Sequence, residues 1–255
     1  MKVHLIPFTS VFGENYIYAL EDGGKVALVD PGSYEAAKGF LDQRGLKPDQ
    51  IWVTHHDIDH VEGVSALKQD YGATVYGPGK TAAELGFVDV ALAQEDSFDF
   101  AGHKIEVLDT PGHTLDHIIF VASSGKALFC GDLLFVLGCG RVREGTMVQM
   151  WQSLQKLLDL DDDLRVYCGH EYTQGNIQFV LSLIKDDPAL DDFCTQLMAK
   201  KKAGQPTVPT LLGQEKRFNP FLRTHDPAFA KRVNLEEGAS SDEVFTALRQ
   251  AKDAF

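Results

Sequence analysis

The stretch THHDIDHVEG, Thr54 to Gly63, sets three histidines and two aspartates between positions 55 and 60. Imidazole and carboxylate are ligands suited to divalent zinc, iron and manganese. Residues two apart in an extended loop share a side, so His55, Asp57 and Asp59 face together and His56 points away. The order is close to His-x-His-x-Asp-His. Position 57, however, holds a carboxylate where a second imidazole is expected.

Outward from this loop the same residue types recur. His113 lies in DTPGHT, Asp132 in FCGD and His170 in YCGHE, each closing a β-rich apolar run. A lone histidine at a strand end is usually a hydrogen-bonded structural residue. Four such clusters in one chain favour a metal centre, because strands sharing one sheet edge bring their ends together.

The segments between these clusters read as α/β. KVALVDPG (25–32) is a buried strand ended by a Pro-Gly turn. Residues 33–45 read as a helix, with Ser33 as N-cap and Gly45 at its end. IWVTHH and the runs at 103–114, 117–122, 126–132 and 165–171 are further strands, and 147–160 is a helix. Beyond Gln174 the strand signals fade, and 176–184, 190–204 and 240–255 read as helices. An α/β domain over 1–173 and a helical domain over 174–255 are expected.

Composition limits the function classes. The 255 residues are 44% hydrophobic, enough for a sizeable core. No run approaches the ~20 apolar residues of a membrane span, and MKVHLIPFTS lacks the apolar stretch of a signal peptide. The four cysteines form no CxxC pair and read as reduced thiols of a cytoplasmic protein. A net charge of −13 argues against nucleic acid as a partner. Residues 174–255 hold 11 basic and 11 acidic residues, so the first 173 carry the whole deficit. Bound cations offset part of such an excess. Nothing in the sequence demands an oligomer interface, and a monomer is expected.

Taken in order, ENYIYAL, VDPG, THHDIDHVEG, TPGHTLDH, FCGDLLF, GCGRVREGT, GHEYTQGN and the tail RQAKDAF resemble the glyoxalase II (hydroxyacylglutathione hydrolase) family of the metallo-β-lactamase superfamily. The resemblance covers nearly the whole chain. It implies an αββα sandwich with a C-terminal helical domain and a two-metal centre of zinc, iron or manganese. It also implies hydrolysis of the thioester S-D-lactoylglutathione to D-lactate and glutathione by a metal-held hydroxide. Carried over residue by residue, His55, Asp57 and His113 hold the first metal. Asp59, His60 and His170 hold the second, and Asp132 bridges both. Asp59 also orients the attacking water, so Asp59 and Asp132 are the expected catalytic residues.

Glutathione carries two carboxylates, and the resemblance assigns its binding to Arg141, Tyr172, Arg249 and Lys252. Arg249 and Lys252 stand at i and i+3 on the last helix and share a face. Arg143 replaces what is more often an aromatic residue in the family. It adds a cation at the site and leaves the thioester preference open.

Asp57 is the main departure. A third carboxylate lowers the Lewis acidity of the first metal and makes its site harder, favouring iron or manganese over zinc. His56 and His117 read as structural, and His4, His103 and His225 match no motif. Cys139 lies near the site, but no base is paired with it, which argues against a nucleophile. Other readings are a persulfide dioxygenase or a flavodiiron-like enzyme. A further one is a non-catalytic glutathione-conjugate binder with an impaired first metal site.

Overall fold

The alternation in ENYIYAL decides how the first sheet is buried. Tyr16, Tyr18 and Leu20 join one apolar cluster, and Ile17 and Ala19 join another. That division follows from the period of two in a strand. In the computed structural model, which describes residues 1–236 and 238–255, this segment is the second strand of a six-stranded sheet. The strands are β1 (Lys2–Ser10), β2 (Gly13–Asp22), β3 (Lys25–Val29), β4 (Gln50–Trp52), β5 (Thr74–Pro78) and β6 (Val90–Leu92), in that spatial order. β1 to β3 pair antiparallel, and β3 to β6 pair parallel. Parallel neighbours need crossovers. They are supplied by α1 (Tyr34–Arg44), α2 (Ile58–Val61), α3 (Val64–Tyr71) and α4 (Ala82–Leu85). Ser33 caps α1 by accepting from the Ala36 N–H, and Gly45 ends it with φ 64°.

The second sheet contains β7 (Ser97–Phe100), β8 (His103–Asp109), β9 (Ile118–Ala122) and β10 (Ala127–Gly131). After a short hairpin of β11 (Leu134–Phe135) and β12 (Gly138–Cys139), it is completed by β13 (Arg165–Cys168) and β14 (Thr210–Leu211). The spatial order is β14-β13-β10-β9-β8-β7. Trp52 of the first sheet joins the two layers. Its ring lies 5.5 Å from Phe100 and 5.9 Å from Phe129, both edge-on, which aromatic quadrupoles favour. On the outer side of the first sheet, Ala37 and Leu41 of α1 and Val64 and Leu67 of α3 cover Leu28, Ile51 and Val75. The remaining helices are α5 (Met147–Gln155), α6 (Thr173–Leu183), α7 (Pro188–Lys202), α8 (Leu212–Phe218), α9 (Pro227–Arg232) and α10 (Ser241–Asp253). They share one buried cluster with the second sheet. The result is the expected αββα layering.

Three sequence expectations change. The site-bearing strand ends do not share one sheet edge: β4 belongs to the first sheet, and β8, β10 and β13 to the second. Both sheets end at the same rim, so convergence follows from their packing rather than from one ladder. Residues 174–255 are not purely helical, because β14 pairs with β13. The helix expected over 147–160 is α-helical only to Gln155 and tightens to a 3-10 turn over Lys156–Asp159. Among the described residues, no helix is long and apolar enough to cross a membrane.

Two glycines let the layers meet at the rim. A Cβ on Gly32 would lie 1.7 Å from the Asp59 carbonyl oxygen, so the VDPG turn abuts the THHDIDH loop only with glycine there. A Cβ on Gly169 would lie 2.4 Å from Asp132 Oδ1.

Candidate metal centre

Each rim strand delivers its side chain to one place. β4 leads into His55–His60, β8 into His113, β10 into Asp132 and β13 into His170. Three groups form among the described residues: His55 with Asp57 and His113, Asp59 with His60 and His170, and Asp30 with His55 and His60, which lies behind the other two. Within each, the ligand-type atoms lie within 4.8 Å of one another. In the first, Asp57 Oδ2 is 3.1 Å from His113 Nε2 and 3.5 Å from His55 Nε2. In the second, Asp59 Oδ2 is 3.4 Å from His170 Nε2 and 4.0 Å from His60 Nε2. Asp132 stands between them. Its Oδ2 is 3.5 Å from His113 Nε2 and 3.2 Å from His170 Nε2, and its Oδ1 is 3.5 Å from His60 Nε2.

Hydrogen bonds behind the rings fix how they point. Thr54 Oγ1 donates to Asp30 Oδ2 (2.7 Å), so it accepts from His55 Nδ1 (2.9 Å). His60 Nδ1 donates to Asp30 Oδ2 (3.1 Å), and His113 Nδ1 donates to the Arg141 carbonyl (2.8 Å). All three rings therefore turn Nε2 inward. Burial holds His117 down to about 3, so it is neutral. Its Nε2 accepts from the Asp132 N–H (3.1 Å), and its Nδ1 donates to Thr110 Oγ1 (2.8 Å). Asn15 Nδ2 donates to Asp59 Oδ2 (2.8 Å) and is itself held by Ser10 Oγ, which donates to Asn15 Oδ1 (2.7 Å). His56, as its alternation requires, points away, 2.9 Å from Asp116 and 3.2 Å from Glu144.

The electrostatics suit cations. Burial opposes charge on His60, but Asp132, Asp30 and Asp59 outweigh it and raise its pKa to about 9. Burial also opposes ionisation of Asp132, yet His170 and His60 hold its carboxyl well below the usual range. Burial and His60 keep His55 well below its ordinary value. Among the described residues, His55 Nε2, His60 Nε2 and Asp132 Oδ1 are buried with no hydrogen-bond partner. Unpaired buried polar atoms call for an explanation. Two His/Asp groups sharing a carboxylate fit a dinuclear metal site.

These groups floor a cavity of about 870 Å³ whose walls include Phe12, Tyr172 and Phe255. The Tyr172 ring stacks on His170 at 4.7 Å. Arg141, Arg143, Lys201, Arg249 and Lys252 also line it, but in different states. The Arg141 side chain is 78% exposed. Lys252 is partly buried and donates to the Gly175 carbonyl (2.9 Å). Arg249 is only 3% exposed and donates to the Cys139 carbonyl (2.9 Å) and to Asp253 (2.8 Å). It lies on the buried face of α10 with Phe245 and Leu248 and ties that helix to β12. Arg143 is turned onto Asp57. Cys139 is buried, and that burial pushes its thiol up to about 11.

Sequence reasoning missed Asp30, Asn15, Lys201 and Phe12. For the first two a signal existed: each is a polar residue at one end of a buried apolar run, in VALVD and NYIYAL.

Residues 11–170 match the metallo-beta-lactamase superfamily, and residues 171–255 match the hydroxyacylglutathione hydrolase C-terminus. A hydroxyacylglutathione hydrolase of Ruegeria pomeroyi is 45% identical over 244 residues, 95% of each chain. One of Rhodopseudomonas palustris is 46% identical, over 94% of each chain. Among solved structures, the B3 metallo-beta-lactamase BLEG-1 shares the fold at TM-score 0.64 and 24% identity, covering 87% of this chain and 99% of that one. TTHA1623, solved in a di-iron-bound form, has TM-score 0.59 and 27% identity, covering 85% of this chain and 99% of that one. With both parts matched and 45% identity over 95% of its length, the chain belongs to the hydroxyacylglutathione hydrolase family of the metallo-beta-lactamase superfamily.

Proposed function

We propose that the protein hydrolyses 2-hydroxyacylglutathione thioesters, S-D-lactoylglutathione among them, to glutathione and the free hydroxy acid. One observation carries this reading. The cavity whose floor is the His/Asp centre has residues of the 171–255 segment in its wall, the part matched to the hydroxyacylglutathione hydrolase C-terminus. In this reading His55, Asp57 and His113 would hold one divalent ion and Asp59, His60 and His170 the other, with Asp132 available to both. Zinc, iron and manganese all suit such donors. When bound, the ions supply Lewis acidity, which acidifies water towards a pKa of ~7 and offsets negative charge developing on the thioester oxygen.

The chain's own residues do the rest. Asn15 fixes the Asp59 carboxylate, which orients the attacking water. His117 and the Asp132 N–H hold the shared carboxylate in place. Arg141 and Lys252 attract the glutathione carboxylates, and Lys201 adds a third cation at the rim. Tyr172, stacked on His170, offers an apolar face beside the acyl group. Water adds to the thioester carbon, the C–S bond breaks, and the sulfur leaves as thiolate. A thiol of pKa ~8.5 is a good enough leaving group to need no dedicated acid.

Residues 1–173 act as the catalytic part and 174–255 as the substrate-binding part, although one buried cluster unites them. The protein acts as a monomer. Four buried, unpaired cysteines suit the reducing cytoplasm. Thiol release from S-D-lactoylglutathione, measured beside oxygen uptake, tests the activity. Thiol release without oxygen uptake is expected. Oxygen uptake with a persulfide, or binding without turnover, rejects it.

A further inference from the structure

The two departures from the family pattern, Asp57 and Arg143, are 86 residues apart in sequence and touch in space. Arg143 Nη1 donates to Asp57 Oδ2, the same oxygen that faces His113 and His55. This contact is held by the backbone and is not a chance reach of a long side chain. The Arg143 N–H donates to the His113 carbonyl (3.3 Å), and His113 Nδ1 donates back to the Arg141 carbonyl (2.8 Å). The segment that carries the guanidinium is thus bonded twice to His113, once to its main-chain carbonyl and once to its ring.

Asp57 occupies the N-cap position of α2, where an aspartate ordinarily accepts from the helix's own N–H groups. Here its side chain makes no capping bond. It is turned instead into the cluster, only 10% exposed, against a guanidinium that is 47% exposed. A local helix-capping role therefore does not account for the aspartate.

The charge balance explains the pair. Asp59 and Asp132 already bring two carboxylates to the centre, and Asp57 brings a third. Arg143 adds one positive charge at the third carboxylate. Together, Asp57 and Arg143 carry the net charge of the neutral imidazole expected at position 57. We infer that Arg143 is the charge partner of Asp57, and that the pair acts as one unit that sets the metal affinity of the first group. The guanidinium already engages Oδ2, so it would compete with an ion for that oxygen and repel it as a like charge. The first ion is thus held more loosely than a free carboxylate would hold it. Arg143 is correspondingly withdrawn from the cations that meet the substrate.

This inference rests on reading His55, Asp57 and His113 as a metal group. It is tested by stripping the protein of metal and titrating it with Mn²⁺, reading free ion by electron paramagnetic resonance. Wild type, Arg143→Gln, Asp57→His and the double variant form one cycle. Arg143→Gln is expected to tighten the weaker Mn²⁺ at least about tenfold, since competition for Oδ2 is removed. In the Asp57→His background, with no carboxylate to compete for, the same change is expected to shift affinity less than about threefold. Equal effects in both backgrounds overturn the inference. So does unchanged or weaker Mn²⁺ binding in Arg143→Gln, with or without a raised KM. Wild type that binds no Mn²⁺ overturns the metal-centre reading and this inference together, whereas two bound ions with an additive cycle overturn the inference alone.

Discussion

Replacing Glu215 by glutamine is expected to stabilise the protein near neutral pH and to leave it unchanged in mild acid. Glu215 lies on α8, fully buried, and clasps the β11–β12 hairpin. Its Oε2 accepts from the Leu137 N–H (2.9 Å) and from Asn219 Nδ2 (3.1 Å), and its Oε1 is 2.8 Å from Thr210 Oγ1. Among the described residues no cation pairs with it. Burial pushes its pKa from 4.5 up to about 7, against the pull of those three donors. Between these values the folded state binds more protons than the unfolded one, so stability is present below about pH 4.5 and falls as pH rises towards 7. At ~1.36 kcal/mol per pKa unit, the loss is about 3 kcal/mol. Glutamine reproduces the protonated acid. Its Oε1 keeps the Leu137 and Asn219 donors, and its Nε2 donates to Thr210 Oγ1. Urea unfolding at about pH 4.5 and about pH 7.5 is the assay. The metal-ligand side chains titrate alike in both proteins and cancel. The variant should match wild type at the lower pH and exceed it by about 3 kcal/mol at the higher. Parallel stability curves would refute the reasoning, because they would show a carboxyl of ordinary pKa in spite of its burial.

Asn15→Ala removes the donor that fixes Asp59, so metal affinity should drop about 10- to 100-fold, read as bound metal after dialysis. Full occupancy in that variant rejects the role. Arg141→Ala and Lys252→Ala should each raise KM for S-D-lactoylglutathione about tenfold while kcat is largely kept, since charge-assisted contacts are lost equally from ground and transition states. Unchanged KM in both removes them from substrate binding. Arg249→Ala should instead lower stability by about 2–3 kcal/mol with little change in KM, because it strips one charge-assisted bond from the α10–β12 junction and an ion pair within α10. A raised KM at full stability would return Arg249 to the substrate.

The sequence was most informative where chemistry is local. His55, Asp57, Asp59 and His60 share one short stretch, running from a loop into α2, and the alternation that sends His56 outward is visible in six letters. His113, Asp132 and His170 were legible because each closes an apolar run. What the sequence hid depends on long-range pairing. Which strands share a sheet is decided by partners far along the chain, so the two-sheet origin of the rim was not readable. The contact of Asp57 with Arg143 is of the same kind, and each looked like a separate anomaly. Arg249 is a different case. It stands four residues after Phe245 and one after Leu248, both fully buried, so its inward position follows from the helical period. The resemblance assigned it to the substrate; it does line the cavity, but its guanidinium is engaged by Cys139 and Asp253. Asn15 and Asp30 went unremarked because a polar residue flanking a buried strand has no unique meaning until its partner is seen.

The most direct test of the account compares wild type with Asp132→Ala, both supplied with divalent metal, in thiol release from S-D-lactoylglutathione. Among the described residues, Asp132 is the one carboxylate with oxygens within 3.5 Å of imidazoles of both groups. Steady hydrolysis by wild type, and a fall of about a thousandfold or more in kcat for the variant, is the predicted result. Comparable turnover by the two proteins would contradict a centre built around that shared carboxylate.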